Sequence, residues 1–187
     1  MRIFRRLAVP LLLAAVAVPA ASEQSNFRYR PDAQRGRVWL LTHEGVFLQQ
    51  AGKAGRVAIS LPEWHWVGEP YACMPDLTLG PRGEAIITSN IVPKVWRIDP
   101  QSLLVTAHDL TLDADTGKDV GFSGILYSPK HDAYLAVSEL QRSFWRIDTR
   151  LERASKTSAA QLPPAQRSAL ARTAFCGHGN LYLGEIP

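Results

Sequence analysis

The sequence predicts an all-β fold of propeller-type repeats, each of four antiparallel strands, with about three complete blades and a partial fourth. Three observations carry this. Four stretches, "FRYRPDAQRGRVWLLTHEG", "DLTLGPRGEAIITSN", "ILYSPKHDAYLAVSE" and "TAFCGHGNLYLGE", share one wording. Each is a short strand, a turn with proline or glycine, and a second apolar strand ending in a small or hydroxyl residue. Phe47, Trp96 and Trp145 then recur in a third strand, roughly 49 residues apart. A fourth strand follows in "GRVAISL", "LLVTAHDL" and, more faintly, "LERASKTS". Four strands at a period of about 40 to 50 residues mark a propeller blade. A lone four-stranded sheet has two apolar faces and covers both only by packing against neighbours, so the recurring aromatic is expected to pack between blades.

Taken in order, the chain opens with Arg2, Arg5 and Arg6, an apolar run from Leu7 to Val18, and the small residues Ala20, Ala21 and Ser22. This pattern predicts a secretory signal peptide over 1–22, because the run is short of the roughly 20 residues that span a bilayer. The rest, 23–187, is expected to form one domain, with repeats over about 27–75, 76–122, 123–172 and 173–187, located in the periplasm or secreted. The formal net charge of +4 leans on the three leader arginines. Without them the charges nearly balance, which removes the main support for nucleic-acid binding. No later stretch is long and apolar enough to span a membrane.

The fourth repeat stops soon after its second strand, while propellers close with 4 to 8 blades. A very small ring closed by shared strands, a second copy of the chain completing the ring, or a shortened version of a longer propeller would each satisfy the pattern. An open ring would expose strand edges and apolar faces.

The blocks "LTLGPRGEAIITSNIVPKVWRIDP" and "GFSGILYSPKHDAYLAVSELQRSFWRID" resemble the NHL-repeat propellers, in particular the gluconolactonase (senescence marker protein) type. The resemblance implies the propeller fold. In hydrolytic members it also implies a divalent cation such as calcium at the axis, activating water for lactone opening. Where that pattern has Asn-Gly and Ala-Asp, this chain has Ser123-Gly124 and Val137-Ser138. The full metal-ligand pattern is therefore missing, and a hard cation needs several oxygen ligands.

Loops joining the second and third strands, and those entering the next blade, emerge at one end of such a scaffold, where function tends to reside. His43, Asn90, Glu139 and Glu185 are the candidate polar ring at that end. Trp64, His65, Trp66, Glu69 and Tyr71 lie on the long connection "LPEWHWVGEPYACMPD", and Asp113, Asp115 and Asp119 on "DADTGKD". That second stretch lacks the spacing of an EF-hand. Cys73 and Cys176, an even pair in an exported chain, are expected to form a disulfide. Residues 155–172 read as a surface insertion ending in a helical turn from Pro164.

The sequence thus points to an exported binding or interaction protein that uses its loop end, with no cofactor and an unknown protein or small molecule as partner. The alternatives are a metal-dependent lactonase-like hydrolase and a fragment without independent activity.

Overall fold

The computed structural model describes residues 27–68, 71–162 and 164–168. The expected leader over 1–22, the expected fourth repeat over 173–187 with Cys176 and Glu185, and Glu69 lie outside them. Among the described residues three sheets, each built on four antiparallel strands, follow one another along the chain. The first is built from β1 (Phe27–Asp32), β2 (Arg37–Thr42), β3 (Gly45–Gln50) and β4 (Val57–Ile59). The second has β5 (Leu77–Leu79), β6 (Ala85–Thr88), β7 (Lys94–Ile98) and β8 (Val105–Asp109). A short β9 (Thr111–Leu112) precedes the third, which holds β10 (Gly124–Ser128), β11 (Ala133–Ser138), β12 (Ser143–Asp148) and β13 (Arg153–Thr157). The fold is all-β and propeller-type, as the repeats predict.

The turn chemistry works as the sequence suggests. After β1 the chain makes a 3-10 turn, Ala33–Arg35, closed by Gly36 in the left-handed region at φ 58°, where glycine carries no steric penalty. One element escapes the repeat pattern. β9 pairs parallel with β13, Thr111 beside Arg153 and Leu112 beside Ala154, so the connection after the second sheet adds a fifth strand to the third. Its two residues are too few to give a periodic signal. The helical turn expected from Pro164 is present over 164–168.

Strand alternation sends successive side chains to opposite faces, and the second sheet uses both. Leu77, Ala85, Ile87, Trp96 and Ile98 pack against Trp39, Leu41, Val46 and Leu48 of the first sheet. Ile86 and Val95 join Ile125, Tyr134, Ala136, Trp145 and Ile147 of the third. The recurring aromatics hold one register position: Phe47 pairs with Leu40, Trp96 with Ile87 and Trp145 with Ala136. Trp96 and Trp145 are buried, each facing the preceding sheet.

Among the described residues no sheet precedes the one that carries Phe47. Phe47 is half-buried, with the Arg56 guanidinium 4.2 Å above its ring. Phe27 and Tyr29, on the same face of the first sheet, are 45% and 56% exposed. The outward face of the third sheet differs, since Ala133, Leu135 and Val137 are all buried.

Candidate functional site

The described residues of the 61–76 connection, 61–68 and 71–76, are seated on the scaffold. Leu61, Trp64 and Trp66 pack against the core between the first two sheets. The Trp64 indole donates to Thr88 O at 3.4 Å, and the Trp96 indole donates to Pro62 O at 2.8 Å. Asn90, buried in the β6–β7 turn, is the main fastening. Its amide nitrogen donates to Val67 O and, at 2.9 Å, to Cys73 O, while its amide oxygen accepts from Val67 N at 3.5 Å. Asn90 thus satisfies backbone groups that a loop folded onto the scaffold would otherwise bury without partners.

Above this base the connection presents polar and aromatic groups. The exposed His43 ring lies 4.9 Å from Trp66, which meets Trp64 edge-on at 6.5 Å. His65 and Tyr71 are exposed. Lys94 reaches both Glu63 and Asp109 at 3.2 Å, and those hydrogen bonds, Glu63 first, raise its pKa. The Tyr71 hydroxyl donates to Asp119, which raises the phenol's pKa and joins this connection to the one over 110–123. That second connection passes so close that a Cβ on Gly121 would lie 2.0 Å from the carbonyl carbon of Asn90. Only glycine fits there.

The remaining candidates go elsewhere. Asp113 accepts from Lys156 N at 2.8 Å, and Asp115 pairs with Lys118 at 2.8 Å and Lys156 at 2.6 Å, clamping the 110–123 connection to β13. Those lysines hold the Asp115 carboxyl below the usual range, Lys118 first. Glu139 sits in the β11–β12 turn, where its carbonyl accepts from Arg142 N. Among the described residues it makes no hydrogen bond with His43 or Asn90, which are joined to each other through the 61–76 connection, and Glu185, the fourth member of the expected ring, lies outside the described residues. Ser123 and Ser138, at the positions of the lactonase pattern, are buried, and among the described residues their hydroxyls have no hydrogen-bond partner. Among the described residues no three His, Cys, Asp or Glu side chains gather as a metal site. Cys73 is 2% exposed, and its expected partner, Cys176, lies outside the described residues.

One group at the same end is not among the candidates the sequence offers. Asp76 is fully buried where β1, β5 and β10 converge. Its carboxylate accepts from Leu77 N at 2.8 Å and Ile125 N at 3.0 Å, and meets Arg30 at 3.2 Å and Arg28 at 4.0 Å. One carboxylate therefore ties the first strands of all three sheets together. Burial pushes its pKa up, and Arg30 is the largest opposing influence. The sequence signal was the alternation in "FRYR": two arginines on one face of a strand need an anionic partner when that face turns inward.

No family model matches the chain, and neither does any curated protein. Among solved structures the chain is similar to a catalytically inactive virginiamycin B lyase from Staphylococcus aureus with quinupristin. The likeness has 15% identity and a TM-score of 0.37, over 71% of this chain and 52% of that one. The chain spans about half the length of that protein.

Proposed function

We propose that this chain is an exported binding protein of NHL-repeat type, which engages a small molecule or a protein through the end of its sheets formed by the 61–76 and 110–123 connections. The observation that carries the reading is the way the first connection is held. Asn90, Thr88 and the Trp64 indole fasten it from beneath, while His43, His65 and Tyr71 stay exposed above. Aromatic and imidazole groups on a braced backbone lose little freedom on contact with a ligand, which is how a pre-organised surface gains affinity. The leader supports export, and a Cys73–Cys176 bridge would anchor the inner end of the same connection in an oxidising compartment.

The test compares the wild-type chain with the His43→Ala, His65→Ala, Tyr71→Ala triple variant. Both are titrated with a panel of small saccharides and short peptides, followed by tryptophan fluorescence. A ligand that quenches wild type and loses its effect in the triple variant, at unchanged melting temperature, supports the reading. Equal binding by the two proteins puts the ligand elsewhere. Recovery of a mature chain beginning after Ala20 or Ser22 outside the cytoplasm checks export, and an uncleaved intracellular chain contradicts it.

A further inference from the structure

At the opposite ends of the first two sheets, the β1–β2, β5–β6 and β7–β8 turns surround an open cavity of about 530 Å³. Three guanidinium groups line it, those of Arg35, Arg82 and Arg97, together with the carboxylates of Glu84 and Asp99. The charges look nearly balanced until the partners are followed.

Both carboxylates are occupied by fixed donors. Asp99 accepts from Gln101 N at 2.9 Å and Ser102 N at 2.8 Å, closing the β7–β8 turn, and these bonds lower its pKa, Ser102 N first. Glu84 is buried, accepting from Arg82 N at 2.9 Å and from the Tyr134 hydroxyl at 3.4 Å. The arginines divide differently. Arg35 is held by Asp32 at 3.3 Å and donates to Arg82 O at 3.0 Å. It reaches across because residue 83 is glycine, where a Cβ would meet its Nη1 at 2.3 Å. Arg82 is 73% exposed, with its nearest carboxylate oxygen 3.7 Å away. Arg97 is half-buried, and among the described residues its guanidinium makes no hydrogen bond or ion pair.

The repeat supplies the comparison. "WRID" occurs in both the second and third sheets. In the third, Arg146 donates to His131 O at 3.0 Å and so ties down its neighbouring turn. Asp148 closes the following turn just as Asp99 does. The aspartate keeps one duty in both copies, while the arginine has a structural duty only in the third sheet. In the second it lines the cavity with its donors unspent.

We propose that this groove binds a small organic anion, whose oxyanion head group is held by Arg82 and Arg97 against the Arg35 side. A guanidinium presents a planar fork of donors that matches carboxylate and phosphate oxygens. The cavity is in the size range that encloses a small ligand. This site lies at the other end of the sheets from the loop platform and does not depend on it.

The experiment titrates inorganic phosphate and, separately, succinate into the full chain at constant ionic strength, following the arginine Nε–H signals by NMR. Saturable shifts at Arg82 and Arg97 with either anion are expected, weakened at least about tenfold in the Arg82→Gln, Arg97→Gln variant, a loss of about 1.4 kcal/mol. Arg56→Gln, remote from the groove, should leave the affinity unchanged. A response to both anions that never saturates, or that is the same in wild type and double variant, overturns the proposal. Melting temperatures of the variants guard against a folding defect, and Arg97→Lys, which keeps the charge but not the fork, should bind more weakly than wild type.

Discussion

Trp96 and Phe47 occupy the same register position in neighbouring sheets, yet one is sealed and the other is half open. Trp96 faces the first sheet and packs with Trp39 and Leu41, both fully buried. Phe47 faces away from every described sheet, with the Arg56 guanidinium over it. The strands that carry them follow the same pattern. The difference lies in their neighbours, so the repeat defines where an aromatic points and the stacking defines what that burial contributes.

Breaking the position in turn should expose this asymmetry. Trp96→Ala should cost about 3–5 kcal/mol, the range for an aromatic truncated in a closed core, read as a large fall in melting temperature. A loss below about 1 kcal/mol would mean that the first two sheets are not packed as described. Reduction of the proposed Cys73–Cys176 bridge should cost about 2–4 kcal/mol, measured as the difference in denaturant midpoint with and without reductant. Identical midpoints would remove the bridge from the account. Phe47→Ala should cost less than about 1.5 kcal/mol, because its ring already meets water on one side; an effect equal to that of Trp96→Ala would show that a further sheet covers this face in solution.

The smallest expected effect concerns the 110–123 connection. Asp115 has its pKa lowered by Lys118 and Lys156, so its folded form releases the proton more readily than the unfolded chain. Its contribution to stability is therefore present above the ordinary carboxylate range and is lost as pH falls through the lowered value. Asp115→Asn should flatten that part of the acid limb and leave the alkaline side unchanged. An unaltered acid limb would mean that the clamp on β13 contributes nothing.

Much of the fold was legible because its signals are periodic. The alternating strands, the turn prolines and the aromatics 49 residues apart are properties of the repeat, and a one-residue slip would turn every apolar side chain outward. The site was less legible, since its key contacts join distant positions. Nothing local to Asn90 reveals that its amide will fasten Val67 and Cys73, and nothing in "DADTGKD" reveals that Asp113 and Asp115 will reach Lys156 in β13. The two tryptophans of "EWHWVGEPY" read as free binding groups in sequence, yet both also pack on the core. Asp76 was passed over because one aspartate before a strand is an ordinary turn residue; its meaning comes from Arg28, Arg30 and Ile125 N arriving from two other sheets.

The central claim is that the 61–76 connection is a braced platform, not a mobile loop. Amide hydrogen exchange on wild type and on Asn90→Ala tests it most directly. Val67 N–H, which donates to Asn90, should exchange slowly in wild type and become fast in the variant, while the β6 and β7 amides keep their protection. Fast exchange of Val67 already in the wild-type chain would contradict it.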